Sequence, residues 1–330
     1  FFLCFFPVFP TNMGSAEVIR STSICWPGQK KIFQISHLNI KDNKNLKSIK
    51  ILSEKPLYKL FVIPLAIIKI IKYLKNEKKK IVIIEGPSWI GYSFLSLLLI
   101  KILIPSAKVI YHSHSIEFEV RRMMSGKFIS NISRIFEKFV FQNAHVATTV
   151  SEIEKRKIKS LYNVNCIIFE NGVSKKILKF NKKKILKDDY LIYSGSYKYL
   201  PNKIAIDYLV NYLMPKINIV YPDLKLVLTG GGYDKKKKFL LNLGVIKKSK
   251  LLNLLYNSKM MIVPLNKGTG TRIKIIEGLL IGAKILSTPK GIEGIKLIGK
   301  NNIFPIIAKR NKFKKIIVNY LKKNNHKETK

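Results

Sequence analysis

Pro264-Leu265-Asn266-Lys267-Gly268-Thr269-Gly270-Thr271-Arg272-Ile273-Lys274-Ile275-Ile276-Glu277 joins a strand-like run to a helix-like one through a glycine-rich turn. The apolar run Met260–Pro264 before it reads as a buried strand, and Lys274–Ile281 reads as a helix that starts at once. A strand that turns through Gly-Thr-Gly-Thr into a helix is the ligand-binding corner of an open α/β sheet. Glycine lets backbone approach a ligand, and the first N–H groups of a helix offer themselves to an anion. The threonine hydroxyls, Arg272 and Lys274 would face the same anion. Glu277, one to two turns into the helix, could accept from ribose hydroxyls. The order Gly-Lys-Ser/Thr is absent, so the turn is not a P-loop.

Outward from this corner, strand-like and helix-like runs alternate along the chain, as in parallel α/β sheets. The expected strands are Phe1–Val8, Lys31–Ser36, Ser48–Leu52, Lys80–Ile84, Lys108–His112, Val146–Val150, Cys166–Phe169, Tyr190–Ser194, Lys225–Thr229, Met260–Pro264 and Lys284–Ser287. The expected helices are Gly14–Cys25, Pro56–Leu74, Ser88–Leu103, Ile129–Asn143, Glu152–Tyr162, Asn202–Lys216, Lys247–Asn257, Lys274–Ile281 and Phe313–Lys322. Lys323–Lys330 reads as a frayed tail. The lysine-rich, turn-like Ser174–Asp189 is the linker candidate, dividing the 330 residues into domains 1–173 and 174–330.

Three more segments fall where strands end. Pro10-Thr11-Asn12-Met13-Gly14-Ser15 could cradle a phosphate or sugar. Ser194-Gly195-Ser196, before Pro201-Asn202, would floor a phosphate site. Tyr111-His112-Ser113-His114-Ser115-Ile116-Glu117 carries two histidines and a carboxylate. No further His or Cys cluster supports a metal there, so hydrogen bonding by His114 and Glu117 is the expectation.

Composition bounds the remaining choices. Lys+Arg is 61 against Asp+Glu 19, a formal net charge of +42, which attracts anions of any kind. Part of that excess is also what an AT-rich coding bias toward Lys, Asn and Ile would produce. The hydrophobic fraction of 47% argues against a disordered chain. No RNA-binding aromatic motif or zinc-finger spacing accompanies the charge, so nucleic acid is not an expected partner. Cys4, Cys25 and Cys166 have no metal-like spacing and suit a reducing compartment. Phe1–Pro10 reads as a buried strand and not as a signal peptide, and the missing initiator Met suggests a fragment. Tyr92–Pro105 is too short to span a bilayer. The helix in Pro56–Lys80 is amphipathic. Lys69, Lys72 and Lys75 share one face, while Ile67, Ile70, Ile71 and Leu74 lie off it. That pattern suits either a packed core helix or a helix lying on an anionic membrane. A cytoplasmic location, with peripheral contact to the membrane, is the expectation.

Taken in order, these segments resemble the group 1, family 4-like glycosyltransferases of the GT-B fold. The resemblance rests on the Gly14 loop, Ile81–Glu85 with Gly86-Pro87, His114 with Ile116-Glu117, Val150-Ser151-Glu152 and Asn171-Gly172-Val173. It continues through Ser194-Gly195-Ser196, Leu228-Thr229-Gly230-Gly231-Gly232, the Gly268–Glu277 stretch and Ser287-Thr288-Pro289-Lys290-Gly291-Ile292-Glu293-Gly294. It implies two Rossmann-like domains facing across a cleft, the last helix packing back on the first. It implies retaining, metal-independent transfer from a nucleotide-diphosphate sugar to a polysaccharide or glycolipid acceptor, with no cofactor. By position, His114, Arg272 and Lys274 match catalytic residues and Glu117 falls on the acceptor side. Gly14, Ser15, Ser194, Gly195, Ser196, Gly268, Thr269, Gly270, Thr271 and Glu277 match donor contacts. The chain departs from the family at Thr269, where the first glutamate of the family's pair would fall, and only Lys198 is a candidate for the basic residue after Ser194-Gly195. Another sugar-nucleotide enzyme such as an epimerase, a nucleic-acid-binding protein and an inactive family member are the alternatives.

Overall fold

The computed structural model describes residues 1–9, 14–75, 77–173, 177, 179–296 and 305–328. They group into two compact units: Phe1–Val173 with Thr269–Thr271, and Ser174–Gly268 with Arg272–Lys330. Pro10–Met13 of the first expected loop, residues 174–176 and 178 of the expected linker, and residues 329–330 of the expected tail lie outside the described residues.

In the first unit the elements run β1 (Phe2–Cys4), α1 (Gly14–Cys25), β2 (Ile32–Ser36), β3 (Leu46–Lys50), α2 (Pro56–Leu74), β4 (Ile81–Glu85) and α3 (Ile90–Leu103). They continue through β5 (Lys108–His112), α4 (Glu117–Met124), α5 (Gly126–Asn143), β6 (Val146–Thr149), α6 (Glu152–Tyr162) and β7 (Ile167–Ile168). The sheet order is β3-β2-β1-β4-β5-β6-β7, and the pairings are parallel. The two-residue period of the strands divides the core in two. Leu3, Val82 and Ile84 point to the layer of α2, α3 and α5, while Phe2, Cys4 and Ile83 meet Ala16 and Ile19 of α1. Burial on both faces explains why these strands are continuous apolar runs.

The second unit runs β8 (Tyr190–Ser194), α7 (Leu200–Tyr208), a π-helical segment Leu209–Leu213, α8 (Met214–Asn218), β9 (Lys225–Thr229), β10 (Leu240–Asn242) and α9 (Lys248–Asn257). After these come β11 (Met260–Val263), α10 (Ile273–Leu280), β12 (Ile285–Ser287), α11 (Pro289–Ile292), β13 (Ile306–Ile307) and α12 (Phe313–Glu328). The order β10-β9-β8-β11-β12-β13 is again wholly parallel. Counted from its own first strand, each sheet reads 3-2-1-4-5-6, the doubly wound Rossmann order, and the first adds a seventh strand. The order reverses between β1 and β4, and between β8 and β11.

Several elements differ from the sequence expectation for local reasons. β1 spans three residues and not Phe1–Val8, because Pro7 cannot donate to a ladder. The Gln34 side-chain carbonyl accepts the N–H groups of Val8 and Phe9 instead, at 2.9 and 3.2 Å. β3 begins two residues earlier than Ser48. The helix expected over Asn202–Lys216 is broken by the π segment just before Pro215, whose missing N–H interrupts the α-helical pattern. α12 continues to Glu328, beyond the expected fraying point. It belongs to the second unit, where Phe313 packs edge-on against Tyr208.

Candidate functional site

The carboxyl ends of β8 and β11 flank the switch point of the second sheet, and the glycine-rich stretch read from the sequence follows β11. Ser194 closes β8, and the Gly195 N–H donates to the Thr229 carbonyl at 2.8 Å. A Cβ at Gly230, where φ is +112°, would lie 2.5 Å from the Gly195 carbonyl carbon, so the two strand exits touch backbone to backbone. Asn202 holds the loop: its amide donates to the Ser196 carbonyl at 3.0 Å and accepts from Tyr193 Oη at 2.7 Å. After β11 the chain turns through Gly268 at φ +118°, where a Cβ would meet the Arg272 guanidinium at 2.8 Å. Arg272 caps α10 without a side-chain cap hydrogen bond, leaving the helix N-terminus to other acceptors.

Lys274 is the most informative residue of this corner. Its Nζ donates to the Ser194 carbonyl at 2.7 Å and lies 4.1 Å from the Tyr193 ring centroid. The residue is half-buried, and its ammonium is held between the Ser194 carbonyl and the Tyr193 ring. Burial, and then the charge of Arg272, push its pKa down to about 7. Glu277 is buried on α10 and pairs with Lys248 of α9. Lys248 and Tyr193 were not singled out in the sequence; no short-range pattern links α9 to Glu277. Lys198, the candidate basic residue, is exposed, beside Gly232. Thus Ser194, Gly195, Ser196, Gly268, Arg272, Lys274 and Glu277 belong to the second unit. Thr269, Gly270 and Thr271 group with the first unit. Gly14 and Ser15 open α1, in the first unit.

The first unit builds a different cluster at the ends of β4 and β5. Their register sets Glu85 beside His112. The exit must be glycine, since a Cβ at Gly86 would meet the His112 carbonyl at 2.8 Å. His114 Nε2 and Glu85 Oε2 are 2.8 Å apart, and His112 Nδ1 is 2.7 Å from Thr148 Oγ1 of β6. All three side chains are buried. Burial raises the Glu85 pKa to about 7 and pushes both imidazoles well below their usual value, so each group favours its neutral form. Glu85 was not among the expected site residues. Its signal was a carboxylate closing the apolar run Ile81–Glu85.

Glu117 begins α4, a helix absent from the sequence expectation. Its N–H donates to Glu137 Oε1 at 2.7 Å, and its carboxylate accepts from Arg121 Nε at 2.5 Å. Burial raises its pKa to about 8 against the pull of Arg121. Glu137 also accepts from the Phe118 N–H at 3.3 Å and Tyr162 Oη at 2.8 Å, so it ties the start of α4 to α5 and α6. A recess of about 480 Å³ lined by His145, Val146 and Asn163 lies at the opposite, amino-terminal ends of β6 and β7.

On α2, Ile63, Ala66, Ile67, Ile70 and Leu74 are core residues and Ile71 packs against them, which settles the core reading for that face. A second apolar stripe, not noted in the sequence, is exposed: Leu57 65%, Phe61 77%, Leu65 56% and Ile68 46%. Lys69, Lys72 and Lys75 are exposed beyond it. Among the described residues, no helix is long and apolar enough to cross a membrane.

No protein-family sequence model and no curated protein matches the chain. Solved structures do. Sucrose-phosphate synthase from Thermosynechococcus elongatus is similar over 97% of this chain and 90% of its own, at 12% identity and a TM-score of 0.67. WaaG, a glycosyltransferase involved in lipopolysaccharide biosynthesis, is similar over 98% of this chain and 89% of its own, at 11% identity and a TM-score of 0.67. Anabaena HepE in complex with UDP-glucose is similar over 98% of this chain and 90% of its own, at 10% identity and a TM-score of 0.58. With the two parallel sheets, these likenesses give the chain the GT-B fold, with two Rossmann-like domains.

Proposed function

We propose that this chain is a glycosyltransferase that moves a sugar from a nucleotide-diphosphate sugar to a polysaccharide or lipid-linked acceptor, with retention of configuration. The observation that carries the reading is Lys274 beside Arg272 at the switch point of the second sheet, its ammonium enclosed by Ser194 and Tyr193. A diphosphate arriving there recharges Lys274, and the two cations then stabilise the negative charge that grows on the leaving group. This role needs no metal ion at the diphosphate and no cofactor. On this reading Gly14, Gly195, Gly268 and Gly270 are backbone contacts of the donor, and Ser15, Ser194, Ser196, Thr269 and Thr271 offer it hydroxyls. Glu277, oriented by Lys248, accepts from the ribose. Thr269 offers a hydroxyl where the resemblance places a carboxylate, so the sugar choice tied to that carboxylate does not carry over. His114 serves the donor sugar and Glu117 the acceptor side. Likeness in fold to WaaG and HepE supports this assignment.

A screen of nucleotide-diphosphate sugars, with transfer and hydrolysis followed together, tests the reading. Donor consumption that rises with an added glycan or glycolipid acceptor, and a product of the donor's anomeric configuration, supports it. Donor turnover indifferent to every acceptor points to an epimerase, and no donor bound or consumed overturns it.

The acceptor class goes with a location on the cytoplasmic face of an anionic membrane. Leu57, Phe61, Leu65 and Ile68 recur at spacings of four, four and three, so they form one stripe on α2. Such a stripe sinks into the headgroup boundary while lysines at its edge meet anionic lipid, each lysine contributing about 1 kcal/mol. Co-sedimentation with phosphatidylglycerol-containing vesicles should weaken with salt and fall further in Phe61→Ser. Equal binding to neutral vesicles overturns the docking.

A further inference from the structure

We infer that Glu85, His112 and His114 form a binding site for a divalent transition-metal ion of the zinc class. One ligand atom from each residue lies within 4.8 Å of the others. Two of the polar atoms are buried without a partner among the described residues: Glu85 Oε1 and His112 Nε2. With Nδ1–H of His112 given to Thr148, Nε2 presents a lone pair. Once Glu85 is ionised, its carboxylate oxygen and the His112 lone pair cannot satisfy one another, since both accept; only a proton or a cation can bridge them. A cation satisfies both, and it takes over the proton's place in the His114–Glu85 contact.

The donor set selects the ion. Two imidazole nitrogens and one carboxylate suit zinc, cobalt or nickel and disfavour the oxygen-seeking magnesium and calcium. Zinc bonds to such ligands at about 2.1 Å, so a tetrahedral arrangement asks the His114–Glu85 contact to open from 2.8 Å to about 3.4 Å and the other ligand atoms, within 4.8 Å, to settle at the same spacing. The frame is stiff where a site needs it to be. Glu85 and His112 are register partners on adjacent strands, Gly86 brings the two backbones together, and Thr148 orients the imidazole as second-layer partners of metal ligands do. The strand pairing also explains why the sequence hides the site: the carboxylate comes from the neighbouring strand, far upstream of the histidines.

Occupancy would take His114 Nε2 away from any other ligand. On the transferase reading above, the ion is therefore an inhibitor rather than an activator; the binding itself does not depend on that reading. The test is zinc binding to tag-free protein in a Cys25→Ser background, which removes the exposed thiol. Calorimetry with zinc chloride should give one equivalent per chain. Cobalt(II) should give the visible absorption of a tetrahedral site with nitrogen and oxygen ligands. His112→Gln and Glu85→Gln should each weaken zinc at least tenfold, and Thr148→Val about tenfold, with melting curves confirming that each variant is folded. Substoichiometric zinc, or unchanged affinity in His112→Gln, overturns the site. Should the variants fail to fold, an octahedral cobalt spectrum in the parent protein overturns it alone.

Discussion

At the carboxyl ends of β4 and β5 the first unit buries a glutamate among imidazoles, whereas at the ends of β8 and β11 the second unit encloses a lysine beside an arginine. Strand order and the direction of pairing are shared; the sign of the available charge is not. Yet both places treat charge alike. Burial raises Glu85, lowers both imidazoles and lowers Lys274, so each group is moved toward its neutral form until something of opposite charge arrives. The overall charge of +42 therefore says little about either site. What matters is which few side chains follow each strand and how dry they are kept.

The largest effects should separate the two regions by kinetics. Lys274→Met is expected to weaken donor binding about 100-fold, ~3 kcal/mol, because a charge-assisted contact to the diphosphate is lost. His114→Gln should instead lower turnover strongly while changing donor affinity by less than about threefold. Binding titrations and steady-state rates on both variants check this, and equal losses of affinity would break the contrast.

Next come the backbones. Gly230→Ala adds a Cβ against Gly195 at a positive φ, so ~3 kcal/mol of destabilisation is expected in the second unit. Gly126→Ala, at φ +86° with open space around it, should cost only about 1 kcal/mol in the first. Denaturant unfolding measures both, and comparable losses would mean that the contact at Gly230 is not what sets its cost.

A subtler difference concerns pH. Lys274 titrates near 7 in the folded chain against 10.5 for an ordinary lysine. The unfolded chain therefore binds more protons between those values, and the lysine's contribution makes stability rise with pH across that window. Subtracting the Lys274→Met curve from the wild-type curve isolates it; a flat difference from pH 7 to 10 would contradict the enclosed ammonium. The smallest effect should come from Glu277→Gln, a severalfold loss of affinity for the intact nucleotide sugar with inorganic diphosphate unaffected.

Much of this was legible in the residues. Pro56–Leu74, Glu152–Tyr162 and Tyr190–Ser194 have the limits that periodicity and turn residues set for them. The side chain of Ser151 caps α6, accepting the Glu154 N–H at 3.3 Å. Arg272 and Lys274 were visible because one turn of contiguous chain carries both. Glu85 and Lys248 were not, because strand register and helix packing bring them to their partners. The exposed stripe on α2 was missed for a similar reason. A helical wheel shows that a helix is apolar on more than one side, but which side is covered depends on the strands beneath it.

A diphosphate arriving in the second unit should meet a lysine whose burial holds it toward the neutral form. Calorimetric titration of UDP-glucose and related nucleotide-diphosphate sugars at pH 8, in buffers of different ionisation enthalpy, tests it most directly. At least one of them should bind with uptake of close to one proton, and Lys274→Met should abolish the uptake. Binding without proton uptake, or uptake that survives in Lys274→Met, would contradict it.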